Sequence, residues 1–306
     1  MNHLSENSQQ QITSSTTFLK QKAGFNMYIV KLDQEFTDNS LPFLYPDAIM
    51  NKGSLFLFDF TNKNCWDPST AITNNAVIKN LVEGAPTAKL NINSSTDFSF
   101  IENKGFKYAD DKNTISSNIL VGNGTDLFQS ENDFAISIWV TAPTPQVSLN
   151  QAASRLFSKQ KDYNSDNGKN NKGLVINLES NSNQSTTTSR FGSKIGGTPD
   201  ATNLNINLSR VTGLFNLTVA KVGSTVYMYE GGILKGSYAY TSSFVNASPI
   251  QIGRPLDGIS GGVFSAANTL IGATFHRIYA EDLTLSKRKI EDLVSAEYNQ
   301  NYSKFA

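Results

Sequence analysis

The chain has 306 residues, and its 26 basic and 26 acidic side chains give a formal net charge of +0. This neutrality argues against electrostatic recognition of nucleic acid or of an anionic membrane surface. Charged residues make up only 17% and hydrophobic residues 39%, a balance typical of a sheet-rich protein with neutral polar loops. No stretch holds the about 18 apolar residues of a membrane-spanning helix, so no membrane insertion is expected. The single cysteine, Cys65, excludes an intrachain disulfide and is expected to be structural.

The N-terminal region divides into two segments before the main domain. Residues 1–24 are polar and lack periodicity, which predicts a flexible arm. Residues 25–52 are more apolar, and Pro42 and Pro46 keep them extended, which predicts an anchoring segment that docks on the domain or on a partner. No signal-peptide pattern occurs, so synthesis in a cytoplasm without export by an N-terminal signal is expected. One domain, residues 53–306, follows.

Short alternating segments dominate this domain and predict β-strands. The clearest are GSLFLFDF, DFAISIWV, GLVINLE, LNINLS, LFNLTVAKV, TVYMYE and SPIQIG. Gly223-Ser224 and Gly231-Gly232 separate the runs around TVYMYE, and glycine supplies the positive φ that a tight hairpin turn needs. These two turns predict a three-stranded antiparallel meander.

The stretch LIGATFHRIYAEDLTLSKRKIEDLVSAEY predicts a strand followed by an amphipathic helix. Ser286 is a candidate N-cap, and Ile290, Leu293 and Val294 follow at helical spacing. The strand is expected to close a sheet, and the helix to cover an outer face or an edge that the strands leave bare.

Several of these segments resemble, in chain order, the laminin-G-like modules of the concanavalin A-like lectin/glucanase superfamily. The similar motifs are SLFLFDF, DFAISIWV, RLFSKQ, STVYMYEGGILKGSYA, PIQIG and HRIYAEDLTLSKRKIEDL. The resemblance implies an all-β, two-sheet antiparallel jelly-roll sandwich with one C-terminal amphipathic helix. The sequence departs from the family at Phe215, where a Trp is usual, and in lacking an acidic residue near the start of the last strand. The second departure puts a family metal or loop contact in doubt.

The residues argue against catalysis. Glucanases of this superfamily carry paired carboxylates on one strand, one acting as acid and one as nucleophile. The nearest run here is Glu131-Asn132-Asp133, which precedes its strand and lacks a third carboxylate. The only histidines are His3, in the polar arm, and His276, which is expected to be a packed or hydrogen-bonded strand residue. We therefore expect no enzyme.

One loop carries the pattern of a metal site. In KDYNSDNG, Asp162, Asn164 and Asp166 alternate before a glycine, and Ca²⁺ prefers oxygen ligands from a tight loop of this kind. The spacing is not that of an EF-hand, and a solvated polar loop without metal is the alternative. Arg254 and Asp257 in RPLDGISGG are expected on the same rim, which would strengthen a calcium site if the two loops meet.

Aromatic residues are the remaining candidates for ligand binding, because planar rings pack against sugars. Trp66, in the polar segment TNKNCWDPST, and Tyr163, in the KDYNSDNG loop, are the candidate stacking residues, with packing in a satellite cluster as the alternative, whereas Trp139 is expected to be buried.

Two functional hypotheses follow from the sequence and the resemblance. The first is a non-catalytic protein of a virion surface, as a bacteriophage capsid decoration or a tail or fibre component, whose N-terminal arm binds other virion subunits and whose domain binds host cell-surface glycans. The second is a secreted, extracellular carbohydrate-binding or polysaccharide-active protein. Self-association into a homo-oligomer is left open.

Overall fold

The structure is a computed structural model. The residues that it describes form sixteen β-strands, two helices and the turns next to them. It describes residues 47–109, 117–122, 128, 132–142, 153–159, 173–180, 188–196, 204–209, 213–239, 249–253 and 272–306. All of them belong to one compact unit, Tyr45–Ala306. No helix among them is long and apolar enough to cross a lipid bilayer.

The first sheet contains eight strands. They are β1 (Ser54–Asp59), β4 (Phe98–Ile101), β5 (Gly105–Tyr108), β7 (Phe134–Ala142), β12 (Gly213–Val222), β13 (Thr225–Glu230), β14 (Ile233–Ala239) and β16 (Thr274–Asp282). Their spatial order is β14-β13-β12-β7-β16-β5-β4, and β1 also pairs with β16.

The second sheet also contains eight strands. They are β2 (Val77–Ile78), β3 (Ala88–Asn91), β6 (Asn118–Val121), β8 (Ala153–Lys159), β9 (Gly173–Ser180), β10 (Thr188–Gly196), β11 (Leu204–Ser209) and β15 (Ile250–Ile252). Their order is β11-β10-β9-β8-β15-β6-β3-β2, and every pairing described in either sheet is antiparallel. The predicted fold class, a two-sheet antiparallel β-sandwich with a C-terminal helix, is confirmed.

Alternating apolar residues of the strands form the core between the two sheets. Phe56 on β1 stacks with Phe157 on β8, with ring centroids 6.5 Å apart. Both rings are fully buried, and so are Ile138 on β7 and Ile278 on β16. Burial of large side chains from both sheets removes apolar surface from water and holds the layers together.

The predicted meander is confirmed. Strands β12, β13 and β14 pair in sequence, and tight turns lie at Gly223-Ser224 and Gly231-Gly232. Gly223, Gly231 and Gly232 have φ of 57°, 56° and 81°, the left-handed region in which glycine is favoured.

Strand β16 does not close the first sheet, as the sequence suggested, but runs through its middle. It pairs with β7, β5 and β1, and its first eight residues are all buried. After a register shift between Phe275 and Arg277, the residues RIYAE alternate, with Arg277, Tyr279 and Glu281 on one face, which is typical of a strand with one wet face. Here the polar face is covered by other parts of the chain.

The C-terminal region forms two helices, α1 (Leu283–Ser286) and α2 (Ile290–Phe305). The predicted N-cap, Ser286, is wrong. The N-cap of α1 is Asp282, whose side chain accepts from the backbone N–H of Leu285, and Ser286 ends that helical turn. Helix α2 begins after Lys289, which provides no side-chain cap. The link AEDLTLS folds into its own capped turn, so the second helix starts three residues later than expected.

Helix α2 packs on the outer face of the first sheet, against β7 and β12. Of the two predicted positions, an outer face or an edge, the first is therefore confirmed. Ile290, Leu293 and Val294 are buried as expected. Glu297 and Asn301 are also buried on this face of the helix. The helix therefore presents polar as well as apolar groups to the sheet.

The predicted arm and most of the predicted anchoring segment, residues 1–46, lie outside the described residues. The last part of that segment, residues 47–52, belongs to the sandwich. Ile49 and Met50 are buried in the main apolar core. Asn51 donates from Nδ2 to Glu281 on β16 at 2.9 Å.

Gly253, just after β15, tests how closely the two sheets approach. A Cβ at this position would lie 1.9 Å from Oη of the buried Tyr108, and the φ of Gly253 is +85°. We expect Gly253→Ala to lower the free energy of unfolding by about 3 kcal/mol or more, because backbone strain and overpacking add. Gly84→Ala is the matched control, since Gly84 has a φ of +73° and no atom within 4 Å of the added Cβ. Chemical denaturation should show a loss near 1 kcal/mol there; equal losses at both positions would contradict the close approach.

Candidate functional site

Most site residues predicted from the sequence lie outside the described part of the chain: Asp162, Tyr163, Asn164, Asp166, Arg254 and Asp257. Strands β8 and β15 are antiparallel neighbours, with Gln251 opposite Ser158 and Ile252 opposite Phe157. The chain thus leaves β8 at the end where β15 begins, and leaves β15 where Gly253 donates to the carbonyl of Leu156.

Trp66 is not an exposed stacking residue, and this prediction is wrong. Its side chain is 2% exposed. Its ring packs edge-on against Phe106, with centroids 4.9 Å apart, and tilts against Phe100. The polar segment around Trp66 folds over the aromatic end of β4 and β5, so its ring fills a gap in the core and offers no face to a ligand.

His276 is a hydrogen-bonded strand residue, as predicted. Its Nδ1–H donates to the carbonyl of Lys104, so Nε2 accepts from the hydroxyl of Thr141 at 2.7 Å. Its ring also stacks on Phe305 of α2. Burial lowers the pKa of His276 below 6.5, although the bond to Lys104 acts in the opposite direction. The imidazole is therefore neutral at pH 7 and is fixed in one tautomer.

The remaining candidates for chemistry are already engaged. Asp133 accepts from the backbone N–H of Gly223 at 2.7 Å and lies 3.6 Å from the ammonium of Lys221. Cys65 is a free, buried thiol, and burial together with the charge of Asp59 raises its pKa. Within the described ranges, no three His, Cys, Asp or Glu side chains come together as metal ligands.

A buried ion cluster lies between the first sheet and α2, centred on Arg277 of β16. Its guanidinium is fully buried and binds Asp47 and Glu297 in a bidentate manner, with shortest distances of 2.7 Å and 2.8 Å. The same group donates to Asp59 at 3.2 Å, and Lys304 of α2 also contacts Asp59. Trp139 completes the cluster, because its indole N–H donates to Glu297 at 3.2 Å. Trp139 is fully buried as predicted, but beneath the helix.

The charges of this cluster hold one another in the ionised state. Burial alone lowers the pKa of Arg277, but the charge of Glu297 and the bonds to Asp47 and Glu297 raise it above its usual value. Burial raises the pKa of Asp47, and the hydrogen bonds and charge of Arg277 outweigh this, so the pKa lies below 3.8. These side chains are occupied with each other.

A second polar layer on the same sheet face lies under the first turns of α2. Asn216 donates from Nδ2 to the hydroxyl of Ser137 at 2.9 Å, and Thr218 donates to the same oxygen at 3.1 Å. The Oδ1 atom of Asn216 is buried without a hydrogen-bond partner. On the neighbouring strand β13, burial and the charge of Glu291 raise the pKa of Tyr229 to about 12. The helix thus covers a sheet face whose chemistry is largely polar.

In the described part of the chain, the β13–β14 turn lies against α2, because Gly231 and Gly232 approach the ring of Tyr298, which packs against Tyr302. Ile233 and Leu234 follow this turn on β14, where strand alternation points them to opposite faces of the sheet. Ile233 is 63% exposed, and Leu234 and Tyr302 are each 50% exposed. Beside the turn, Glu230 and Lys235 form an ion pair at 3.3 Å.

Comparison with known proteins identifies similar folds but assigns the chain to no family. No protein-family model matches the chain, and no curated protein matches it. Among solved structures, Trypanosoma rangeli sialidase matches with a TM-score of 0.51 and 11% identity over 84% of this chain and 34% of that one. The binding domain of botulinum neurotoxin serotype D/C VPI 5993 matches with a TM-score of 0.50 and 13% identity, over 81% and 52%. The binding domain of botulinum neurotoxin DC in complex with SialylT matches with a TM-score of 0.51 and 10% identity, also over 81% and 52%.

The chain therefore spans about a third of the sialidase and about half of the toxin binding domains that it matches. Identities this low show the fold alone. The shared fold is a two-sheet antiparallel β-sandwich.

The buried ion cluster predicts a large effect of removing one partner. Glu297→Ala leaves Arg277 buried with one carboxylate fewer and Trp139 without its acceptor, so we expect a loss of about 3–5 kcal/mol in the free energy of unfolding. Gln300→Ala changes an exposed position of the same helix and should cost under about 0.5 kcal/mol. Urea denaturation of both variants measures the difference. A Glu297→Ala protein as stable as Gln300→Ala would show that the cluster does not hold the helix.

Asp47 predicts how stability depends on pH. Because the pKa of Asp47 is lowered in the folded state, its contribution is fully present above the usual pKa of 3.8 and is lost as the pH falls through the folded-state value. We expect Asp47→Asn to be about 1–3 kcal/mol less stable than the parent at pH 7, and the gap to close below about pH 3.8. Asp292→Asn, at an exposed site on α2, should show no comparable gap. A gap for Asp47→Asn that stays constant down to pH 2 would contradict the assignment.

Proposed function

We propose that this chain is a non-catalytic carbohydrate-binding module. The observation that carries the proposal is its lectin-like sandwich, which matches, over 81% of the chain, a toxin binding domain whose structure was solved in complex with SialylT. A rigid two-sheet scaffold is suited to this task, because it holds surface side chains in fixed positions and lowers the entropy lost on binding.

The disposition of the acidic side chains supports a binding rather than a hydrolytic role. Asp59 and Glu297 are at most 1% exposed and are bound to Arg277. Asp133 is held by Gly223 and Lys221. A retaining glycosidase needs two carboxyl groups about 5 Å apart with free access to the sugar, and the buried Asp59 and Glu297 do not offer that access. The alternative, a polysaccharide-active protein, draws support from the sialidase likeness.

The biological setting that we propose is the surface of a virion, as a bacteriophage capsid decoration or tail component, with the N-terminal segment binding other virion subunits. The neutral composition with only 17% charged residues supports an exposed, weakly charged surface. Secretion as an extracellular carbohydrate-binding protein is the second candidate. Cosedimentation of the full chain with candidate phage particles distinguishes them, because a virion protein should pellet with its own particle and a secreted one should remain in the supernatant.

The proposal includes a calcium ion, with Asp162, Asn164 and Asp166 as its ligands. Three oxygen-bearing side chains at alternate positions suit a hard cation that orients a sugar hydroxyl or stiffens a loop. Asp166→Ala should then abolish any calcium dependence of binding without changing the thermal stability in chelator.

The decisive experiment is a glycan array probed with the full chain in calcium and again in EDTA. We expect a restricted set of glycans to be retained, with no change in their mass after prolonged incubation, because the protein binds without cleaving. Loss of retention in EDTA, together with loss in Asp166→Ala, would assign a calcium-dependent lectin. Retention of nothing across sialylated and neutral glycans would refute the proposal, and a shortened glycan would replace it with the enzymatic alternative.

A further inference from the structure

An irregularity in β16 points two consecutive side chains towards α2. The register of β16 against β7 shifts between Phe275 and Arg277, so His276 is the additional residue of a β-bulge. Successive residues of a regular strand face opposite sides of the sheet, whereas a bulge re-aims one of them. The ring of His276 stacks on Phe305 of α2. The guanidinium of Arg277 binds Glu297 of the same helix. Both side chains of the bulge are therefore covered by α2.

The imidazole of His276 is enclosed in its neutral form. The residue is 2% exposed, and the ring of Phe305 lies over it with centroids 5.2 Å apart and planes inclined by 21°. One nitrogen donates to the carbonyl of Lys104, and the other accepts from the hydroxyl of Thr141 at 2.7 Å. An imidazolium has two donors and no acceptor. Protonation therefore requires the hydroxyl of Thr141 to reverse and places a charge where no water solvates it.

The cover over this ring is the last turn of α2. Phe305 is the last residue of the helix, and its ring also tilts against Trp139 with centroids 5.4 Å apart. The neighbouring Lys304 contacts Asp59. Helix ends open locally at a much lower free energy than the whole fold, because few contacts are lost. The last turn can therefore lift from the sheet while the β-sandwich stays folded.

The charged groups on the elements around His276 favour the neutral imidazole. They are Glu102 and Lys104 in the turn before β5, Lys107 on β5, Asp59 on β1, Arg277 on β16 and Lys304 on α2, and the sequence of β7 has none. Of the two carboxylates, Glu102 is exposed, and Asp59 is already bound by Arg277 and Lys304. The other carboxylates of the ion cluster, Asp47 and Glu297, bind Arg277.

We propose that His276 and Phe305 form a pH-sensitive latch, which holds the last turn of α2 on the first sheet at neutral pH and releases it in mild acid. The trigger is the uptake of one proton by the imidazole of His276. Release also separates Lys304 from Asp59 and uncovers the side of Trp139 on which Phe305 packs. The protein then presents additional aromatic surface at low pH. This device does not depend on the proposed carbohydrate binding.

The direction of the response follows from the two states of the latch. With the latch closed, burial and the charge of Lys104 lower the pKa of His276 below 6.5, and they outweigh the opposing bond to the Lys104 carbonyl and the charge of Asp59. In the open turn the solvated imidazole has its ordinary pKa near 6.5. The closed latch is therefore most stable above pH 6.5 and loses stability as the pH falls below it. Between pH 7.5 and pH 5.5 the open population rises by up to about ten-fold.

Hydrogen exchange of the full chain, followed by mass spectrometry at pH 7.5 and pH 5.5, measures this opening. After correction for the intrinsic pH dependence of exchange, we expect the amides of residues 302–306 to lose up to about ten-fold of their protection at pH 5.5, and those of β7 to lose none. His276→Asn keeps a side-chain N–H but cannot titrate, so its last turn should be equally protected at both values. His3→Asn, which changes the other histidine of the chain, should respond as the parent does.

The stacking contact is tested by Phe305→Ala, with Ser303→Ala as the control at an exposed position of the same turn. Without its cover the imidazole is solvated at all pH values. We therefore expect Phe305→Ala to move the NMR titration midpoint of the His276 ring up towards 6.5 and to remove the pH dependence of exchange. Ser303→Ala should retain the midpoint and the exchange pattern of the parent.

Three results would overturn the latch. The first is equal protection of residues 302–306 at both pH values in the parent. The second is a parental pH response in His276→Asn, which would assign the opening to another group. The third is a titration midpoint of the His276 ring at or above 6.5 in the parent, and this measurement decides even if a variant fails to fold. A glycan array without retained glycans leaves all three readouts unchanged, so failure of the proposed function is distinguished from failure of the latch.

Discussion

The structure depends on one buried guanidinium, that of Arg277. It binds carboxylates from three separate parts of the chain: Asp47 ahead of the first strand, Asp59 at the end of β1, and Glu297 on α2. Burial of a charge in such a place is unfavourable unless every partner is present. Only well-placed partners on all sides offset the hydration that the charge loses. The helix, the central strand β16 and the segment before β1 are consequently held as one unit.

The sequence predicted the parts of the fold that local pattern determines. The hairpins at Gly223 and Gly231 and the apolar stripe of α2 follow from residues close together in the chain. The position of β16 did not follow, because Arg277 is an ordinary solvent-facing residue by local pattern. Its partners Glu297 and Asp59 are 20 and 218 residues away, and no periodicity links such distant positions. Burial of a polar residue is decided by what covers it.

Exposure of the aromatic residues was harder to predict for the same reason. Trp66 stands in a polar, turn-rich segment, yet the aromatic side chains of β4 and β5 leave a gap that it fills. Tyr302 occupies a helical position with no unusual neighbours in sequence, and it becomes prominent only because Tyr298 supports it beside the glycine turn. The exposure of an aromatic side chain is therefore determined by what packs around it and not by the composition of its segment.

The pairing of β1 with β16 has a consequence for how the protein reaches this state. Ser54 lies opposite Glu281, so the middle of the first sheet joins residues that are far apart in the chain. Contacts of such long range form slowly, since a large loop must close before they stabilise anything. During synthesis, β7 and β12 emerge before β16, which pairs with β7, and before α2, which covers the polar outer face of both strands. We therefore expect a slow final folding step, in which β16 pairs with β1 and β7.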